Sequence, residues 1–221
     1  MPRQQCWRCS ASAPPLPVPP PYNDPCALAV PAAPETRKNR AAMTDMLAPL
    51  LVKWLTHDLA TPTATILTAS ELLGDVADPE INGLVLDAAR RLASRLRLVR
   101  AALAPGGSPI ADTALAAMVA AGIDGTAIAW RRTPADLDGA TAALVAGAAL
   151  LLADVRRGQP LVATDTGIAW ATAQVWPPAV AATLAGAAPA DGHCAVAALV
   201  AAAAARAGVT LRATDNGLVW G

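Results

Sequence analysis

The sequence predicts an α+β chain in which a helical hairpin precedes an α/β sandwich, and three observations carry that expectation. Val52, Leu55, Leu59, Pro62, Ile66, Ala69 and Leu73 alternate at spacings of three and four, a coiled-coil-like apolar seam on one long helix. Leu84, Ala88, Leu92, Leu96, Val99 and Leu103, at spacings of four, four, four, three and four, mark a second helix. From Ile110 onward, short strand-like pieces alternate with alanine-rich helices, which is the signature of an α/β layer.

Residues 1–42 differ from the rest. They are proline-rich, contain Tyr22, Cys6, Cys9 and Cys26, and show no amphipathic period, so disorder is expected. They lack the apolar core of a secretory signal. Cys6-Trp7-Arg8-Cys9 has zinc or redox spacing, but only Cys26 and no nearby histidine could complete a site, so the cysteines read as incidental. Met43 and Met46 precede the hairpin helix directly, which makes an internal start plausible and leaves open whether residues 1–42 belong to the mature protein.

The hairpin is expected over residues 43–104. Asp78-Pro79-Glu80 is a start signal for its return helix. That helix carries Arg90, Arg91, Arg95, Arg97 and Arg100 away from the seam, as a solvated polar face or, alternatively, a partner-binding patch. Two helices alone expose too much apolar seam, so a second copy is expected to complete a dimeric four-helix bundle. Ala104-Pro105-Gly106-Gly107-Ser108-Pro109 reads as a linker to a second unit over residues 110–221. There, Thr164-Asp165-Thr166-Gly167 and Thr214-Asp215-Asn216-Gly217 each read as a β-hairpin turn, with Trp170 and Trp220 on the returning strands. Ile123 to Trp130 resembles both segments. Trp130, Trp170 and Trp220 read as core or sheet packing in a chain without phenylalanine.

Balanced charge over 221 residues gives no electrostatic footprint for nucleic acid. The apolar stretches Ala140–Ala153 and Cys194–Ala205 are too short to span a bilayer, so no membrane association and a cytoplasmic location are expected. His193-Cys194 stands at a turn before an alanine-rich helix and is assigned no site role.

One short run carries the chemistry. Thr56-His57-Asp58-Leu59-Ala60-Thr61-Pro62 places one of two histidines beside a carboxylate, four residues before a hydroxyl and five before a proline. A neutral imidazole nitrogen can attack phosphorus while an adjacent acid takes or orients the proton on the other ring nitrogen. Proline a turn later is expected to bend the helix. At about 100° per residue the seam lies roughly opposite His57, so His57 is expected on the outer face, with Lys53 and Thr61 on the same stripe. Leu50 and Trp54 are expected to be exposed beside it, where with Lys53 they would form a docking surface. Lys53 would help neutralise phosphoryl charge or simply be solvated.

These residues resemble a family. Leu51 to Leu103 is similar to the dimerisation and histidine-phosphotransfer hairpin of two-component histidine kinases, whose H-box reads His, acid, Leu, any, Thr or Ser, Pro. His57-Asp58-Leu59-Ala60-Thr61-Pro62, Glu71-Leu72-Leu73-Gly74-Asp75 and Ala88-Ala89-Arg90-Arg91-Leu92-Ala93 more closely resemble the ChpT-type histidine phosphotransferases of alphaproteobacteria. The resemblance implies that His57 is phosphorylated, Asp58 is its acidic neighbour and Thr61 orients water or the imidazole. It also implies that residues 110–221 are a degenerate kinase ATPase domain. The helix Ala140–Val155 lacks the asparagines that would hold magnesium and ATP, and no glycine-rich phosphate loop follows.

The implied activity is phosphotransfer between receiver-domain aspartates of a hybrid histidine kinase and of response regulators. No cofactor is expected, with Mg2+ supplied by the receiver because the hairpin has no clustered acidic ligands for it. The alternatives are a response-regulator phosphatase in which Thr61 orients water and a non-catalytic dimeric scaffold.

Overall fold

The computed structural model describes residues 34–73, 78–103 and 108–221. Cys6, Cys9, Tyr22 and Cys26 lie outside the described residues, as does most of the Ala104–Pro109 linker. Helices α1 (Pro34–Leu72) and α2 (Pro79–Leu103) form a hairpin. Residues 34–42, expected in the disordered extension, are instead helical. Pro34 suits the first helical position because its missing N–H would be unpaired there anyway, and the Arg, Lys and Ala that follow are good helix formers.

Helix α1 continues through both Pro49 and Pro62. Pro62 withholds a hydrogen bond from the Asp58 carbonyl without ending the helix. The next turns are tied by threonine hydroxyls, with Thr63 donating to Leu59 O at 2.7 Å and Thr65 to Thr61 O at 3.0 Å. The start of α2 is fixed by the Asp78 carboxylate, which accepts from the Glu80 N–H at 2.8 Å.

The second unit joins helices to two sheets. Strands β1 (Ile110–Ala111) and β3 (Asp136–Leu137) form a short antiparallel pair. Strands β2 (Ile128–Trp130), β4 (Leu161–Thr164), β5 (Gly167–Trp170), β6 (Leu211–Thr214) and β7 (Gly217–Trp220) form a sheet of order β2-β4-β5-β7-β6. Only β2 and β4 run parallel. Helices α3 (Asp112–Gly122), α4 (Gly139–Val155), α5 (Pro178–Leu184) and α6 (Gly192–Arg206) complete the unit.

Helix α4 explains the architecture. Every residue from Ala142 to Ala153 is buried, because α2 covers one side of α4, α6 lies beside it and the sheet covers another. Small residues permit this close approach: a Cβ at Gly147 would stand 3.2 Å from Val200 of α6 and 3.8 Å from Ala102 of α2. Hairpin residues Trp54, Leu98, Val99 and Ala102 consequently share one apolar core with α3, α4, α6 and the sheet. Burial of Leu98 alone contributes about 1.5–3 kcal/mol.

The expected seam is only partly closed. Ala69, Ala88 and Val99 are buried, whereas Val52, Leu84 and Leu96 stay exposed in the single chain.

The two tryptophan-bearing hairpins interlock. Each has a two-residue turn, at Asp165-Thr166 and Asp215-Asn216, and each opening threonine donates to the carbonyl of the glycine across the turn. The returning strands β5 and β7 then pair antiparallel. Trp170 N–H donates to Asn216 O at 2.6 Å, and Trp220 N–H donates to Thr166 O at 2.8 Å. A Cβ on Gly217 would lie 2.4 Å from the Ile168 carbonyl oxygen, so the crossing requires glycine there. Trp170 and Trp220 are buried, and Trp130 is half-buried with its indole N–H on Asp112 at 2.7 Å.

Asp138 caps α4 by accepting from the N–H groups of Ala140 and Thr141 and from the Thr141 hydroxyl. The Thr141 side-chain and backbone hydrogen bonds hold the Asp138 carboxyl below its ordinary range. A depressed folded-state value gives stability that is present above the ordinary carboxylate range and lost as pH falls through the folded value. In urea denaturation, Asp138→Ala is expected to lower stability by about 1 kcal/mol at neutral pH, and the difference from the parent chain should shrink below about pH 4.

Candidate functional site

Successive residues of a helix point about 100° apart, and this divides α1 into two working stripes. Lys53, His57 and Thr61 are all exposed on one of them, as the helical phase predicts. Trp54 and Asp58 occupy the next stripe, which faces the second unit.

The expected docking surface is therefore corrected. Trp54 is only 7 % exposed, and Leu50 is half-buried. The apolar seam marks one covered face of α1, whereas the second unit covers another. The Trp54 side chain rests on the start of α6, where a Cβ at Gly192 would come within 2.7 Å of Trp54 Cβ. Among the three expected docking residues, Lys53 is the exposed one.

Asp58 is also placed differently from its expected proton-handling position. No hydrogen bond joins it to His57 among the described residues, because adjacent helical residues do not face each other. Instead, Arg95 Nε donates to Asp58 Oδ2 at 2.6 Å and Nη2 donates to Oδ1 at 3.2 Å. The same Nη2 donates to Asp154 Oδ1 at 2.7 Å and Oδ2 at 2.8 Å, while Nη1 reaches the Gly122 carbonyl at 3.2 Å. The guanidinium lies 5.8 Å from the Trp54 ring centroid, within cation–π range. One arginine of α2 thus links α1, α3 and the C-terminal end of α4.

This overturns the solvated reading for Arg95, whose side chain is 12 % exposed. Arg90, Arg91, Arg97 and Arg100 are exposed. The difference is positional: Arg95, Leu98 and Ala102 form a second stripe on α2, turned toward the second unit. Burial opposes the Arg95 charge, but Asp154 and Asp58 outweigh it and hold the guanidinium above its ordinary value. Burial pushes the Asp154 carboxyl up, and Arg95 draws it only part of the way back.

A cavity of about 370 Å³ opens between the hairpin and the second unit. His57, Asp58 and Thr61 line it from α1, Arg91 and Arg95 from α2, and Arg157 from beyond α4. Arg91, Asp154 and Arg157 were not singled out as site residues from the sequence. Asp154 did leave a signal, since a lone carboxylate ending an otherwise apolar helix needs a partner. Arg157 left none, because its proximity to His57 depends on tertiary packing.

Among the described residues, no group of His, Cys, Asp or Glu is arranged to hold a metal ion, and no helix is long and apolar enough to cross a membrane.

No protein-family model matches the chain, and no curated protein matches it. Its fold is similar to that of a solved bacterial phosphotransferase, with a TM-score of 0.63 and 22 % sequence identity over 79 % of this chain and 94 % of the other. At that identity the likeness establishes a shared mixed helix-and-sheet fold.

Removing Arg95 would leave two carboxylates without their common cation. Arg95→Ala is expected to cost about 3–5 kcal/mol in urea denaturation. Arg95→Lys should recover only part of that loss, since an ammonium cannot reproduce the planar fork.

Proposed function

We propose that this chain is a histidine phosphotransferase of the ChpT type, relaying a phosphoryl group between receiver-domain aspartates through His57. The observation that carries the proposal is the exposed His57 of an H-box run lining an arginine-containing cleft. The fold shared with a bacterial phosphotransferase supports it.

In the forward step, a ring nitrogen of His57 attacks the phosphorus of a receiver's aspartyl phosphate. A P–N bond forms, the P–O bond to the aspartyl carboxylate breaks and the carboxylate leaves with the electron pair. The proton on the other ring nitrogen passes to solvent, because Asp58 is engaged by Arg95. Transfer to a second receiver reverses these bond changes. Thr61, one turn beyond His57, is assigned to orient the imidazole or a water molecule, and Lys53 to neutralise charge on the exposed stripe. The receiver supplies Mg2+. Residues 110–221 serve as a degenerate kinase-like docking unit, and the protein works in the cytoplasm without ATP.

Incubation with a radiolabelled phospho-receiver is expected to label the chain, and His57→Ala is expected to remain unlabelled. ATP alone should give no label. Labelling from ATP would replace the proposal with kinase activity. Failure of every phosphorylated receiver tested would overturn it. Receiver dephosphorylation that persists in His57→Ala would favour a phosphatase, and no effect on receivers would favour a scaffold.

The exposed seam residues also support assembly into a homodimeric four-helix bundle. Light scattering is expected to give twice the mass of one chain. Val52→Glu combined with Leu96→Glu should halve that mass while preserving the far-ultraviolet circular dichroism; an unchanged mass would remove this seam from the interface.

A further inference from the structure

The cleft beside His57 contains an imbalance of charge. Asp58 and Asp154 share Arg95, so two carboxylates face one guanidinium; of the cleft's other two carboxylates, Asp87 pairs with Arg90 at 3.0 Å and Asp124 with Arg91 at 3.7 Å. A phosphoryl group entering there would meet surplus negative charge unless another cation offset it.

Arg157 stands just beyond the C-terminal end of α4 and lines this cleft from the second unit. It is exposed and makes no hydrogen bond or ion pair among the described residues. Of the second unit's described arginines, Arg157 alone lines this cleft; Arg156 donates to the carbonyls of Val155 and Val175, and Arg132 is buried against Asp112. On the opposite wall, Arg91 lies 3.7 Å from Asp124. Both members of that pair are largely exposed, so the contact holds Arg91 only weakly.

We infer that Arg157, assisted by Arg91, binds the non-bridging oxygens of the phosphoryl group as it joins His57. The second unit would thereby contribute a catalytic residue to the hairpin's reaction. This inference rests on the phosphotransfer reading of His57. A guanidinium presents paired N–H donors that match phosphoryl oxygens, and partial enclosure strengthens the attraction relative to open water. The oxygens become the stronger acceptor for Arg91, which can exchange its exposed contact with Asp124 for the doubly charged group.

Phosphoramidate tests this site without a receiver. A His57 ring nitrogen attacks phosphorus, a P–N bond to His57 forms, the P–N bond of phosphoramidate breaks and ammonia leaves. The proton displaced from the imidazole passes to solvent. Phosphohistidine formation on the full chain can be followed by phosphorus NMR, with thermal unfolding as the check on folding.

Arg157→Ala is expected to slow labelling about tenfold, the effect of losing a charge-assisted hydrogen bond. Arg157→Lys should restore much of the rate, and Arg91→Ala should give a smaller loss. Labelling of folded Arg157→Ala at the parent rate, or no labelling of His57 in the parent chain, would overturn the inference. Arg157-dependent labelling without transfer from any receiver would retain the phosphoryl site and reject the relay. Receiver transfer that ignores Arg157 would retain the relay and reject the site.

Discussion

The guanidinium of Arg95 fixes the relation between the two parts of the molecule. Its nitrogens meet a carboxylate of α1, a carboxylate of α4 and a carbonyl at the end of α3. A buried ion pair is weak evidence for net stability, because desolvation opposes the Coulombic gain. Its geometric effect is clearer. The forked donors allow few arrangements of Asp58 and Asp154 around one plane, and those arrangements place the end of α4 beside the His57 stripe.

Apolar packing alone would set that relation less closely. Helix α4 presents alanine, glycine, valine and leucine around its circumference, surfaces that can slide past one another at modest cost. Trp54 against Gly192 and Leu98 against Gly122 add specific shape to the interface. The charged cluster adds direction. The resulting cleft belongs to neither part alone: α1 supplies His57, α2 and the segment beyond α4 supply arginines, and the common core holds those walls together.

Much of this organisation was legible in the sequence. The three- and four-residue spacings gave both hairpin helices, Asp78-Pro79-Glu80 marked the second helix start, and the Asp-x-Gly turns marked two strand pairs. The outward placement of His57 followed from the same helical phase. The burial of Trp54 and Arg95 did not, because a single apolar seam describes a helix with one covered face and these helices have two. A tryptophan or an arginine beside the seam looks solvent-facing until the second partner is known. Asp154 was visible as the end of an apolar stretch, but its arginine lies on a distant element. The helical onset at Pro34 was obscured by the proline-rich composition before it.

The interlocked β-hairpins impose an order on folding. Strand β7 comes last in the sequence of the sheet yet lies inside it, between β5 and β6. The α1–α2 hairpin can collapse through contacts close in sequence, whereas closure of the sheet waits for its final strand. Until β7 arrives, β5 has an open hydrogen-bonding edge and the buried face of α4 lacks part of its cover. The interval between hairpin collapse and sheet closure is therefore when the nascent protein is most exposed to misassociation through an unpaired strand.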